Sequence, residues 1–167
     1  MTVTIRLAVP ADADDMAEIH MRSWEAAYKD IMPMAYIQEK NVTRPALWRR
    51  VITDENTTEY VMQADGKTVG FIGVAPPRDE DIGEDAYEVS GIYLHPDYYR
   101  RGIGTQAMAF AFDKARGLGK TVITLWVFAE NTNAVKFYEK CGLTPDGKTK
   151  TLDCGKPMAS IRMRRDL

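Results

Sequence analysis

The run Tyr98-Tyr99-Arg100-Arg101-Gly102-Ile103-Gly104-Thr105 holds the residue types best suited to gripping phosphate. It follows an apolar, strand-like segment, Ile92-Tyr93-Leu94, and opens a helix-like stretch that continues to about Arg116. A glycine-containing turn between strand and helix exposes backbone N–H groups, and the helix dipole adds partial positive charge there. Glycine also lets another molecule approach the backbone closely, because it has no Cβ. Arg100 and Arg101 add formal charge and planar forks that match phosphate oxygens. This is the chemistry of a pyrophosphate cradle, although the same turn can serve helix–strand packing alone. The turn lacks the Gly-Lys-Ser/Thr ending whose lysine and hydroxyl serve phosphate and magnesium, which disfavours an ATP site.

The surrounding segments read as strands and helices that would hold this turn in place. Residues 4–8 form a short strand ended by Pro10. Asp12 is a candidate N-cap for a helix carrying Met16, Ile19, Ser23, Ala26 and Ala27 on one face. Trp24 and Tyr28 lie side by side near its end. After Ile31-Met32-Pro33 a second helical segment reaches about Glu39, and Thr43 caps a further helix through Leu47, Trp48 and Val51, with Pro45 in its first turn. Residues 59–64, the Asp65-Gly66 pair and residues 68–74 give a hairpin pattern. Residues 76–85 form an acidic surface loop, and strand character returns over 86–94, where Gly91 signals a bulge or a close backbone approach. Residues 122–127 read as a buried strand, 131–141 as a short helix stopped by Gly142, and 159–164 as a closing strand. This order implies one α/β domain over residues 1–167, a mixed sheet covered by helices.

Composition narrows the classes of function. A chain of 167 residues with 45% hydrophobic and 28% charged residues fits one ordinary soluble globule. A net charge of -2 gives no general basic field for nucleic acid, and no apolar run is long enough to span a membrane. The first residues lack the organisation of a signal peptide, and Cys141 and Cys154 have no metal-type spacing. A cytoplasmic, metal-free protein with reduced thiols is expected.

Three motifs in order carry a resemblance. The segment Glu88-Val89-Ser90-Gly91-Ile92-Tyr93-Leu94-His95-Pro96, the Arg-Arg-Gly-Ile-Gly turn, and Asn131-Thr132-Asn133-Ala134-Val135-Lys136-Phe137-Tyr138-Glu139-Lys140-Cys141-Gly142-Leu143 resemble consecutive motifs of the GNAT N-acetyltransferase superfamily. The likeness covers roughly the C-terminal half, with a similar outline around Ser23-Trp24 and Tyr28. It implies a central mixed, mostly antiparallel sheet with a splayed central strand pair and helices on both faces. Tyr99 stands where the family usually carries Gln or Arg, and Leu143 where phenylalanine is common. A cradle that works through backbone amides tolerates the first change, which leaves no family side-chain role at that position.

The resemblance implies direct transfer of an acetyl group from acetyl-CoA to a primary amine, on a small molecule or a peptide. Pyrophosphate would sit over the amides from Arg100 through Arg101, Gly102, Ile103 and Gly104 to Thr105. The pantetheine arm would run between the strand at Ile92, Tyr93 and Leu94 and the strand at 122–127, with an N–H of Tyr93 or Leu94 facing the thioester carbonyl. Tyr138 is the candidate general acid for the departing thiolate, or simply a core aromatic beside Phe137. Glu88 is the candidate base for the incoming ammonium, beside a water relay or a plain strand-end carboxylate. Asn131 is an N-cap, a contact to pantetheine, or both. Trp24 and Tyr28, with Trp48, either wall an acceptor pocket or belong to the core. The acidic loop either steers a cationic amine or is simply solvated. His95 reads as a loop residue, Cys141 as packing, and Cys154 as a turn residue without a base. A homodimer through C-terminal strands fits this fold. The alternative to an enzyme is a non-catalytic acyl-CoA-binding sensor or partner-binding module.

Overall fold

The Asp65-Gly66 turn has positive φ at both residues, 49° and 82°. That geometry matches the right-handed twist of the strands it joins. In the computed structural model, which describes residues 1–167, these strands are β2 (Thr58–Ala64) and β3 (Lys67–Ala75). Antiparallel pairing adds β1 (Val3–Leu7) outside β2 and β4 (Ala86–Leu94) beside β3. Next come β5 (Val122–Phe128), β7 (Pro157–Asp166) and, at the edge, β6 (Thr144–Asp153). The result is one seven-stranded sheet in the order β1-β2-β3-β4-β5-β7-β6. Its single parallel contact is β4 with β5.

Strand alternation sends side chains to two helical layers. Val61 and Phe71 pack against Met16, Ala17 and Ile19 of α1 (Ala13–Tyr28) and Trp48 of α2 (Met34–Val51). Ile72, Val74 and Val89 face the other way, onto Ala107, Met108 and Ala111 of α3 (Ile103–Gly117) and Tyr138 of α4 (Thr132–Lys140). The single α/β domain with helices on both faces is therefore as the sequence implied. No helix is long and apolar enough to cross a membrane.

The parallel contact is short. Ala86, Tyr87 and Glu88 pair with Val122, Ile123 and Thr124, and there the ladder stops although both strands continue. Beyond it β5 keeps its partner β7 through Phe128, and β4 keeps β3 through Leu94. The opening thus belongs to this one junction. A bulge on the far side of β4 accompanies it: Val74 pairs with Val89 and Gly73 with Gly91, so the extra residue is Ser90 rather than the expected Gly91. Gly91 serves close approach instead, since a Cβ there would lie 2.8 Å from the Tyr93 ring.

Four local expectations change. The helix expected to restart at Thr43 is continuous, because Ile37, Asn41, Arg44 and Trp48 present one buried face across Pro45. That shared face offsets the hydrogen bond the proline removes, and the Thr43 hydroxyl turns back onto the Lys40 carbonyl at 2.6 Å. Asp12 precedes α1 without capping it through its side chain. Its carboxylate instead accepts two 2.8 Å bonds from Arg6 and one from the Val9 N–H. The closing strand expected over residues 159–164 extends over Pro157–Asp166 and pairs with a preceding strand, β6. Finally, the acidic loop is docked: Asp81 takes both ends of buried Arg162 at 2.8 Å, and Asp79 accepts from Trp126 Nε1 at 2.9 Å.

The Tyr93 ring is confined by His20, 4.0 Å away between centroids, and by Phe71 at 5.1 Å. It cannot swing clear of a new methyl group. Gly91→Ala is expected to destabilise the protein by about 1–3 kcal/mol, the usual range for overpacking. At roughly 2–4 °C per kcal/mol for a chain of this size, thermal unfolding will show it. An unchanged melting temperature would contradict the packing described.

Candidate active site

The cradle forms where β4 runs into α3. A 3-10 turn at Pro96–Tyr98 is capped by His95, whose Nδ1 accepts from the Asp97 N–H at 3.3 Å. Arg100 (φ 60°) and Gly102 (φ 77°) then take left-handed conformations. Only Gly102 does so without steric strain. The first helical bond is Gln106 N–H to Gly102 O, at 3.1 Å. The N–H groups of Ile103, Gly104 and Thr105 therefore precede the ladder, and no side chain caps them. The space at Gly104 is filled from inside the protein, since a Cβ would meet Phe137 at 3.1 Å. Its glycine thus serves α3–α4 contact, the packing reading of the turn, while Gly102 faces open space. Arg101 stacks over Tyr98 at 5.0 Å, and Tyr99 is exposed.

The opening between β4 and β5 lies beside this turn. Its β4 wall is Ile92, Tyr93 and Leu94, half-buried and without a partner strand toward β5. At its far side α4 begins at Asn131, whose Oδ1 accepts the Ala134 N–H at 3.3 Å while its Nδ2 donates to Tyr28 Oη at 3.3 Å. The capping role is thus present, and Asn131 also ties α4 to α1. Tyr138 is buried, and burial together with the Tyr28 and Tyr93 phenols raises its pKa far above the ordinary value. The Tyr28 hydroxyl is likewise pushed up to about 12, chiefly by burial. Tyr28 on the α1 side of the sheet and Tyr138 on the α3/α4 side are both held protonated.

The α1/α2 side of the sheet supplies the opposite wall. Trp24 and Tyr28 meet edge-on at 5.2 Å, and Tyr28 meets Phe128 of β5 at 5.7 Å. Both are half-buried, whereas Trp48 is a core residue against Phe71 at 4.7 Å. Glu88 alternates away from Val89, which packs under α3, and so faces this same side. It is buried rather than solvated; its Oε2 accepts the Arg78 N–H at 3.3 Å, and the Arg78 guanidinium lies 3.8 Å from Oε1. Burial raises its pKa, against the lowering influence of Arg78.

Three buried polar residues on this side escaped the sequence reading. His20 accepts from Trp48 Nε1 at 3.0 Å, and burial, aided by Arg44, pushes its pKa down to about 2, so the ring is neutral. Glu59 lies over Gly73, where a Cβ would come within 2.6 Å of its carboxylate, and its Oε2 has no hydrogen-bond partner. Burial alone raises it to about 7. Arg44 lies with its guanidinium 4.5 Å from the Trp24 ring centre. Signals existed for all three: Arg44 shares the 37-41-44-48 face of α2, His20 the Met16 face of α1, and Glu59 the inward alternation of Val61. Cys141 and Cys154 are free thiols, half-buried and buried, and Leu143 is fully buried.

The model of the acetyltransferase (GNAT) family matches residues 13–143. An uncharacterised N-acetyltransferase of Methanocaldococcus jannaschii is 28% identical over 142 residues, covering 84% of this chain. The chain spans 60% of that relative's length. A second, from the pepI 3′ region of Lactobacillus delbrueckii subsp. lactis, is 32% identical over 120 residues, 70% of this chain and 69% of that protein. In fold, the chain is similar to the crystal structure of PaiA N-acetyltransferase from Thermoplasma acidophilum in complex with coenzyme A, with a TM-score of 0.74 at 23% identity over 100% of both chains. Since the family match includes the opening, the α3 turn and the Asn131–Leu143 segment, the chain belongs to the GNAT acetyltransferase family.

Proposed function

We propose that the protein is an acetyl-CoA-dependent N-acetyltransferase that passes the acetyl group directly to a primary amine. The observation that carries this reading is the end of β4–β5 pairing at Glu88 and Thr124, beside the uncapped start of α3. An extended, amide-bearing arm can pair with the free edge at Ile92, Tyr93 and Leu94. A pyrophosphate can take the N–H groups of Ile103, Gly104 and Thr105, with Arg100 and Arg101 adding charge. The residues present thus fit acetyl-CoA, which when bound supplies an activated acetyl thioester.

The chain's own groups divide the proton work between the two sides of the sheet. Glu88, buried on the α1/α2 side, accepts the proton that an ammonium must lose before it attacks. Burial makes its carboxylate a stronger base, an effect that Arg78 opposes. As the C–N bond forms and the C–S bond breaks, the leaving sulfur gains negative charge. Tyr138, held protonated by burial, donates a hydrogen bond and its proton to that sulfur and regains a proton from the nitrogen, which sheds its second one as the amide forms. A backbone N–H of Tyr93 or Leu94 stabilises charge on the carbonyl oxygen. Trp24 and Tyr28 exclude water from the approach.

Tyr138→Phe is expected to bind CoA as the wild type does and to lose on the order of 10²-fold in kcat, within the usual range for a general acid. Ligand at about 100 times its dissociation constant adds roughly 2.7 kcal/mol of stability. Thermal shift with CoA and a thiol-release assay separate the two effects. A wild type that CoA stabilises but that acetylates no amine is the binding module instead.

Glu59 and Glu88 are two buried carboxyls on one side of the sheet, and only Glu88 has a cation beside it. Glu59 keeps its proton in the folded protein up to about pH 7, against 4.5 for the free group. Its contribution to stability is complete below that unfolded value and is lost as pH rises through about 7. Glu59→Gln removes this dependence. Chemical denaturation will show the variant gaining on the wild type by about 3 kcal/mol between pH 4.5 and 8. A pH-independent difference would show that Glu59 ionises normally.

A further inference from the structure

Arg44 is a buried cation without a counterion. It is 8% exposed, its Nε and Nη2 have no hydrogen-bond partner, and it forms none of the molecule's ion pairs. The other buried arginine, Arg162, is held by Asp79, Asp81 and Asp146. Around Arg44 stand only neutral groups: the Trp24 ring under its guanidinium, neutral His20, and the Tyr36 and Tyr93 phenols. A guanidinium removed from water without an anion is unfavourable unless something else supplies the charge. Its rigid fork is built to take a carboxylate at two points.

Its place in the fold links it to the transfer site. Trp24, on which it stacks, touches Tyr28, and Tyr28 accepts from Asn131, the cap of α4 just after β5. Tyr93, whose backbone forms the β4 wall of that opening, lies within the electrostatic reach of Arg44 on one side and of Glu59 on the other. The α1/α2 side therefore holds an unpaired cation and an unpaired carboxyl that do not pair with each other.

We infer that the acceptor is an amino-acid-like zwitterion, with Arg44 receiving its carboxylate while its amine faces the opening on the Glu88 side. This rests on the N-acetyltransferase reading above. The amine and the carboxylate then bind to opposite charges, which sets the orientation of attack and selects against plain alkylamines and polyamines. Arg44 acts on specificity and takes no part in the proton transfers.

Matched pairs that differ only by the carboxylate test this: phenylalanine against phenethylamine, tyrosine against tyramine, histidine against histamine, lysine against cadaverine. The full-length protein, acetyl-CoA and a thiol-release assay give kcat/KM for each. At least one amino acid is expected to exceed its amine by about 10²-fold or more, as when a buried polar group is left unpaired by the poorer substrate. In Arg44→Gln the ratio should collapse to within about threefold, chiefly through KM for the amino acid, and Arg44→Lys should keep part of it. Amines that equal or outrun their amino acids in the wild type overturn the inference, and a ratio unchanged in Arg44→Gln does the same. In both cases acetyl transfer itself stands. A protein that CoA stabilises but that acetylates neither member of any pair overturns the inference, and the enzyme reading falls with it only if peptide amines are refused as well.

Discussion

Backbone N–H and C=O groups need partners, and the central sheet of this protein withholds them along one edge. The β4–β5 ladder ends at Glu88 and Thr124 while both strands run on. The candidate site residues are arranged around that interruption. The Ser90 bulge turns β4 against β3, Gly91 admits the Tyr93 ring, and β7 keeps β5 rigid to its end. The opening is thus a feature of a stiff frame, with free backbone groups that an extended ligand carrying its own amides could pair.

The interruption also divides the chemistry by side. On the α3/α4 side lie uncapped N–H groups, two arginines and a buried phenol, which suit an anionic, thiol-terminated arm. On the α1/α2 side lie aromatic walls, two buried carboxyls and an unpaired guanidinium. Docking of the acidic loop onto Arg162 and Trp126 holds Arg78 beside Glu88, so a distant ion pair helps set the basicity of the candidate base.

Much of this was legible in the sequence wherever local chemistry and periodicity agreed. The Asp65-Gly66 turn, the Gly102 corner, the Asn131 cap and the Gly142 stop each depend on a residue whose conformational preference is strong and local. The course of α2 was not legible, because Pro45 is a local break that only tertiary burial overrides. Losing the continuity of α2 also hid Arg44, which shows as a buried position only when Ile37 and Trp48 are read on one helix. Glu59 was hidden differently: a carboxylate in a strand reads as solvent-facing, although it shares the inward alternation of Val61 and is enclosed over Gly73. The fate of Asp79 and Asp81 depends on Arg162, far away in the chain, which no pattern within the loop reveals.

The central claim is that the unpaired edge of β4 is the seat of the pantetheine arm. A crystal structure of the protein with CoA tests it most directly. The account predicts hydrogen bonds from the arm to the backbone of residues 92–94, pyrophosphate oxygens at the N–H groups of Ile103, Gly104 and Thr105, and the sulfur beside the Tyr138 hydroxyl. Coenzyme bound elsewhere, with the β4 edge still unpaired, would contradict it.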